Sequence, residues 1–106
     1  MTNEAREIEM LVMMRYRFAG GSAGREAYER FSKWTPSEGF EIMAGWTSAS
    51  NDGGFLLLEV ADVATLLDFS AKFKDLNDEL DITPVVELGE GVGIAMGAYA
   101  WVDSLA

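Results

Sequence analysis

An α+β domain with the element order βαββαβ is what this sequence predicts, and three observations predict it. Two stretches with helical apolar spacing alternate with four short strand-like runs; a segment rich in Asn, Asp and Gly joins the middle two runs; and Pro84 interrupts the last run, where a proline fits only on a sheet edge. Two split βαβ units with right-handed crossovers then give a four-stranded antiparallel sheet, strand order 4-1-3-2, with both helices on one face. That is a ferredoxin-like fold, and strand four is independently an edge in it. A chain of 106 residues with 49% apolar content holds one such core and no second.

Each element has its own signal. Met10-Leu-Val-Met-Met-Arg-Tyr-Arg-Phe18 begins as a continuous apolar run and then alternates, as a central strand covered on both faces does. Ala19-Gly-Gly-Ser22 breaks it. Ala27, Phe31 and Trp34 then recur at i, i+4 and i+7 with Arg25, Glu26, Glu29 and Arg30 outside, giving a helix that stops before Pro36. Residues 40–47 and 55–60 read as strands two and three, joined through Ser48-Ala-Ser-Asn-Asp-Gly-Gly54 as a hairpin. Asp62 caps a second helix whose positions Leu66, Phe69, Phe73 and Leu76 keep the 3.6-residue period. Residues 81–88 give strand four, and the acids before it read as a solvated turn. The core is expected over residues 10–90 of a single domain, with an N-terminal extension over 1–9 and a helical tail over 91–106, where Val92, Ala95, Met96 and Tyr99 share a face.

Composition excludes much chemistry. There is no cysteine and no histidine, so disulfides, thiolate sites, imidazole metal ligands, a histidine general base and the usual haem ligand all fall away. No metal or cofactor is called for. Eight basic against 18 acidic residues leave a net charge of −10, which repels nucleic acid and anionic membrane surfaces. Residues 1–9 lack the basic start and apolar stretch of a signal peptide, and a cytoplasmic location is expected. The run from Asp75 to Asp81 lacks the glycine and bidentate glutamate of an EF-hand, since Leu80 and Val86 stand at those places. Gly91-Val-Gly-Ile-Ala-Met-Gly97 has the wrong spacing for a dinucleotide fingerprint and suits close helix packing instead.

Alternation divides the sheet. Val12, Met14 and Tyr16, with Leu56, Leu58 and Val60, suit the helical face. Leu11, Met13, Arg15 and Arg17, with Phe55, Leu57 and Glu59, fall on the other, where Met43 and Val85 join them. That second face is too apolar to stay in water, so a second copy packed on it, aided by the tail, is the expected cover. Arg15 and Glu59 lie on the two central strands of that face and are expected to approach each other, with Arg17, Glu41 and Glu87 at the rim. A cavity over this face would be lined by Met13, Arg15, Arg17, Met43, Phe55, Leu57, Glu59, Val85 and Glu87.

The stretch from Met10 to Leu88 resembles the dimeric α+β barrel proteins, and most closely the bacterial domain of unknown function 3303. The residues carrying the resemblance are the opening Met10–Phe18 run, Tyr28-Glu-Arg-Phe31, Trp46, Gly54-Phe-Leu-Leu-Leu-Glu59 and Asp81-Ile-Thr-Pro-Val-Val86. It implies two sheets packed face to face in a homodimer, within a superfamily that includes cofactor-independent monooxygenases, haem-degrading enzymes and proteins without known activity. The expected protein is therefore a homodimer with a small-molecule cavity over the sheet and no turnover. The alternative is an oxygenase-like enzyme acting on an aromatic or quinol substrate, with Arg15 or Arg17 stabilising the substrate anion and Glu59 taking a proton.

Overall fold

Nine residues of alternating burial make β1 (Met10–Phe18) the middle of the sheet: Val12 and Met14 are buried while Arg15 and Arg17 are exposed. A computed structural model describes residues 9–106, so the extension expected over 1–9 lies, apart from Glu9, outside the described residues. On one side β1 pairs antiparallel with β3 (Gly53–Val60), and on the other with β4 (Asn77–Val85). The strand β2 (Phe40–Thr47) lies beyond β3, giving the order β2-β3-β1-β4, which is the expected 4-1-3-2 order counted from the opposite edge. Pro84 sits on β4, an edge strand, opposite Val12.

The helices α1 (Ala23–Lys33) and α2 (Val63–Phe73), the latter extended by a 3₁₀ turn over Lys74–Leu76, complete the ferredoxin-like α+β arrangement. Val12, Met14, Leu58 and Val60 form the fully buried centre, joined by Phe40 and by Leu66, Phe69 and Phe73 of α2. Phe40 and Phe69 lie 4.7 Å apart between ring centroids, and Trp34 meets Phe40 edge-on at 5.5 Å. Asp62 caps α2 as expected: its Oδ1 accepts from the Thr65 backbone N–H at 2.8 Å and from the Thr65 hydroxyl at 2.7 Å.

Three features depart from expectation. First, β4 begins at Asn77 and ends at Val85, so the acidic run is a strand and not a turn. An edge strand tolerates its acids because Glu79 and Asp81 pair with arginines of β1 while Leu80 and Ile82 pack on the core. Second, the β2–β3 register shifts between Ile42 and Ala44, leaving Met43 as a bulge. Beyond it Gly45 lies opposite Leu56, and Trp46 opposite Phe55, one face over from simple alternation. Third, the tail helix α3 (Leu88–Asp103) starts three residues earlier than expected and buries none of its residues, so it does not cover its own sheet.

Candidate functional site

A largely apolar cavity of about 390 Å³ lies between α1 and the sheet. The alternating positions Met14, Tyr16 and Phe18 of β1 supply its floor, with Leu56 of β3 and Leu80 of β4. Ala27, Tyr28 and Phe31 of α1 form the roof, and Phe69 and Phe73 of α2 close one end. Small residues at the contacts create the space. Ala27 is the one buried residue of α1, so a methyl group stands where α2 places phenyl rings. Gly45 has no side chain over Leu56, and a Cβ there would come within 2.9 Å of the Leu56 Cδ2. A Cβ on Gly54 would come within 2.8 Å of the Tyr16 hydroxyl, so the glycine leaves the phenol its place.

The polar groups are few. Tyr16, Tyr28, Thr47 and Asn77 line the cavity, and no charged side chain among the described residues does. Burial raises the Tyr16 phenol above its ordinary pKa, with Tyr28 adding to the shift, so Tyr16 stays protonated at neutral pH. The Asn77 Nδ2 donates to the Phe73 carbonyl at 2.8 Å, which fixes the orientation of the amide. Its Oδ1 is buried and has no hydrogen-bond partner among the described residues. An unpaired buried carbonyl of this kind costs about 1–3 kcal/mol.

None of the residues expected to line a pocket lines this one. Leu11 and Val85, Met13 and Thr83, Arg15 and Asp81 are cross-strand partners on the outer face, away from the helices. Arg15 stands opposite Phe55, while Glu59 stands opposite Leu11, four positions along the strand. The expected Arg15–Glu59 approach is therefore corrected by the register. Arg15 instead contacts Glu79 at 3.5 Å and Asp81 at 3.4 Å, and Arg17 contacts Glu79 at 3.4 Å. The anion-stabilising and proton-accepting pair required by the oxygenase alternative is not assembled. Met43, Phe55 and Leu57 also belong to the outer face, Met43 at the bulge. Glu87 lies past the end of β4, where its Oε1 caps α3 by accepting from the Glu90 N–H at 3.1 Å. Its carboxyl is held below the usual range by the backbone N–H groups of Gly89 and Glu90.

Tyr16 and Asn77 carry the polar chemistry that the sequence left unread. Tyr16 looked like ordinary core, and Asn77 lay in the supposed turn. Among the described residues no group of three acids, histidines or cysteines is placed to hold a metal ion, and no helix is long and apolar enough to cross a membrane.

The profile of a domain of unknown function (DUF3303) matches residues 10–99. The chain belongs to that family. Among solved structures, MtbAldR is similar with a TM-score of 0.54 and 13% identity, over 74% of this chain and 52% of its own. PH0061 is similar with a TM-score of 0.50 and 8% identity, over 78% and 55%. The DUF3303 chain thus spans about half the length of each. A Bacteriodes thetaiotaomicron VPI-5482 protein described as an antibiotic biosynthesis monooxygenase has a TM-score of 0.49 and 14% identity, over 77% and 91%. At these identities the likeness shows the fold alone. No curated protein matches the sequence.

Proposed function

We propose that this DUF3303 protein is a homodimeric binding protein that holds a small, uncharged, largely aromatic molecule between α1 and the sheet. The observation that carries the ligand class is the lining: a cavity of about 390 Å³ walled by aromatic and aliphatic side chains, with no charged group among the described residues. A charged ligand would leave its solvation behind and find no counter-ion, whereas a neutral ring loses little and gains dispersion contacts. The Tyr16 and Tyr28 hydroxyls in the lining suit a ligand that carries one polar group, such as a phenol. With no ionised acid or base among the described residues of the lining, binding without turnover is the chemistry it suits.

Support for the homodimer comes from the outer face. Leu11, Met13, Leu57 and Val85 cluster there, and exposed Met43 and Phe55 extend the patch. Glu41 and Glu59 are direct cross-strand partners, a like-charge juxtaposition that is unfavourable unless a cation arrives from outside.

The test uses 1-naphthol against its charged counterpart 1-naphthoate, followed by calorimetric titration. Saturable binding of 1-naphthol, at least tenfold tighter than 1-naphthoate, is expected. Filling the cavity through Ala27→Leu should abolish it with the thermal midpoint retained. Equal affinity for the two probes, or binding indifferent to the substitution in a folded variant, would refute the assignment.

A further inference from the structure

Two neighbouring rows of residues cross the sheet beneath α1. In the first, Leu80 of β4, Tyr16 of β1, Gly54 of β3 and Thr47 of β2 stand side by side; in the second, Ile82, Met14, Leu56 and Gly45 do. The second row is wholly apolar. In the first, the Tyr16 ring reaches across to β3, where the missing side chain of Gly54 leaves it room: a Cβ on Gly54 would stand 2.8 Å from the Tyr16 hydroxyl and 3.0 Å from the Thr47 Cα. The same Cβ would collide with the Trp46 carbonyl oxygen, so the glycine is required and the place of the phenol is fixed by the backbone.

The other polar groups of the lining are less able to hold a ligand. Tyr28 is 40% exposed and also lines the open groove beside Gly20, Asn51 and Asp52 at the head of α1, where water competes for its hydroxyl. Thr47 is exposed at the outer end of its row. The Asn77 Nδ2 is engaged by the Phe73 carbonyl, and the Asn77 Oδ1 is buried out of reach. Tyr16 is half-buried and lines the cavity. Burial and the neighbouring Tyr28 perturb its phenol, with no hydrogen bond from any described residue contributing. A neutral phenol in an apolar cavity both donates and accepts, and it discriminates most strongly where water does not replace the missing partner.

We infer that Tyr16 is the specificity-determining residue of the cavity: its hydroxyl takes the single oxygen substituent of an aromatic ligand, whose ring lies over Met14 and Leu56. The inference rests on the binding reading above and deepens it, naming the group that selects among neutral aromatic molecules and the direction in which they lie. The substituent faces the row of Tyr16, Gly54 and Thr47, and the apolar ring faces the row of Met14 and Leu56.

The experiment is calorimetric titration of the full chain with 1-naphthol and with naphthalene, which share the ring and differ in the hydroxyl. Tyr16→Phe should shift the ratio of the two affinities against 1-naphthol by about fivefold to tenfold, while naphthalene affinity falls by less than twofold. Tyr28→Phe should shift the ratio by no more than about twofold. A second reading leaves Tyr16 in place. The chain has three tyrosines, so in protein labelled with 3-fluorotyrosine the fluorine resonance retained in both Tyr28→Phe and Tyr99→Phe belongs to Tyr16. That resonance should move further with 1-naphthol than with naphthalene. An unchanged affinity ratio in Tyr16→Phe, a shift as large in Tyr28→Phe, or equal displacement of the Tyr16 resonance by the two probes overturns the assignment of Tyr16 and leaves the cavity as a binding site. Failure of wild type to bind either probe overturns the binding reading itself, and the assignment with it.

Discussion

The two helices on the sheet are the same length and lie in the same layer, yet one seals its half of the core and the other leaves a cavity. Across eleven residues α2 buries Leu66, Phe69 and Phe73, while α1 buries only Ala27 and leaves Tyr28 and Phe31 partly exposed. Their ends differ in the same sense. Asp62 makes a bonded N-cap for α2, whereas Ser22 stands at the N-cap of α1 without a side-chain bond. The tie that holds α1 to its neighbour is Arg30, whose guanidinium donates to the Lys72 carbonyl at 2.6 Å and to Asp75 at 2.8 Å. Amphipathic spacing brings a helix onto a sheet, but the size of the residue at the contact decides whether space is left beneath it.

The largest way to separate the two halves is truncation of one ring on each. Phe69→Ala removes a buried phenyl packed against Trp34, Phe40 and Phe73 and should cost about 3–5 kcal/mol. Phe31→Ala, at a 40% exposed cavity wall, should cost about 1 kcal/mol or less. Urea unfolding of both variants checks this, and equal costs would mean that α1 is packed as tightly as α2.

The sequence carried the α2 half plainly and the α1 half poorly. Leu66, Phe69 and Phe73 keep one period and Asp62 marks the start, so helix, cap and buried face follow together from local chemistry. Pro84 likewise fixed an edge. The cavity depends on non-local facts. The Met43 bulge shifts Gly45 to the helical side, and period-two alternation cannot anticipate a bulge without the partner strand. Asn77 was lost with the strand boundary, because an acidic run on an edge strand looks like a turn until its arginine partners on β1 are known. The signal that was present is the pairing of small residues, Ala27, Gly45 and Gly54, with aromatic ones on the facing elements.

A smaller effect should appear in local opening. Few buried apolar contacts and an unbonded cap make the amides of α1 exchange with solvent about tenfold faster than those of α2. Arg30→Met keeps the aliphatic stem but removes the bonds to Lys72 and Asp75, and should widen the gap. Exchange measured by mass spectrometry on peptides from each helix is the check; uniform protection would show that the cavity does not loosen its roof.

The smallest effect is acid-dependent and distinguishes the two attachments. The Thr65 backbone N–H and hydroxyl hold the Asp62 carboxyl below its usual range, and the Arg30 guanidinium does the same for Asp75. A carboxyl whose folded pKa is depressed contributes stability that is complete above the unfolded value of about 3.9 and is lost as pH falls through the folded value. Asp62→Asn retains an oxygen acceptor for the cap, so it should match wild type more closely at pH 7 and lose less stability between pH 5 and 2. Asp75→Asn surrenders the charge that faces Arg30, so its deficit should already be present at pH 7 and should shrink on acidification. Thermal unfolding across that pH range reads both slopes. If the two variants changed in parallel, the attachments of α1 and α2 would not differ in kind, and the contrast between the helices would reduce to side-chain volume.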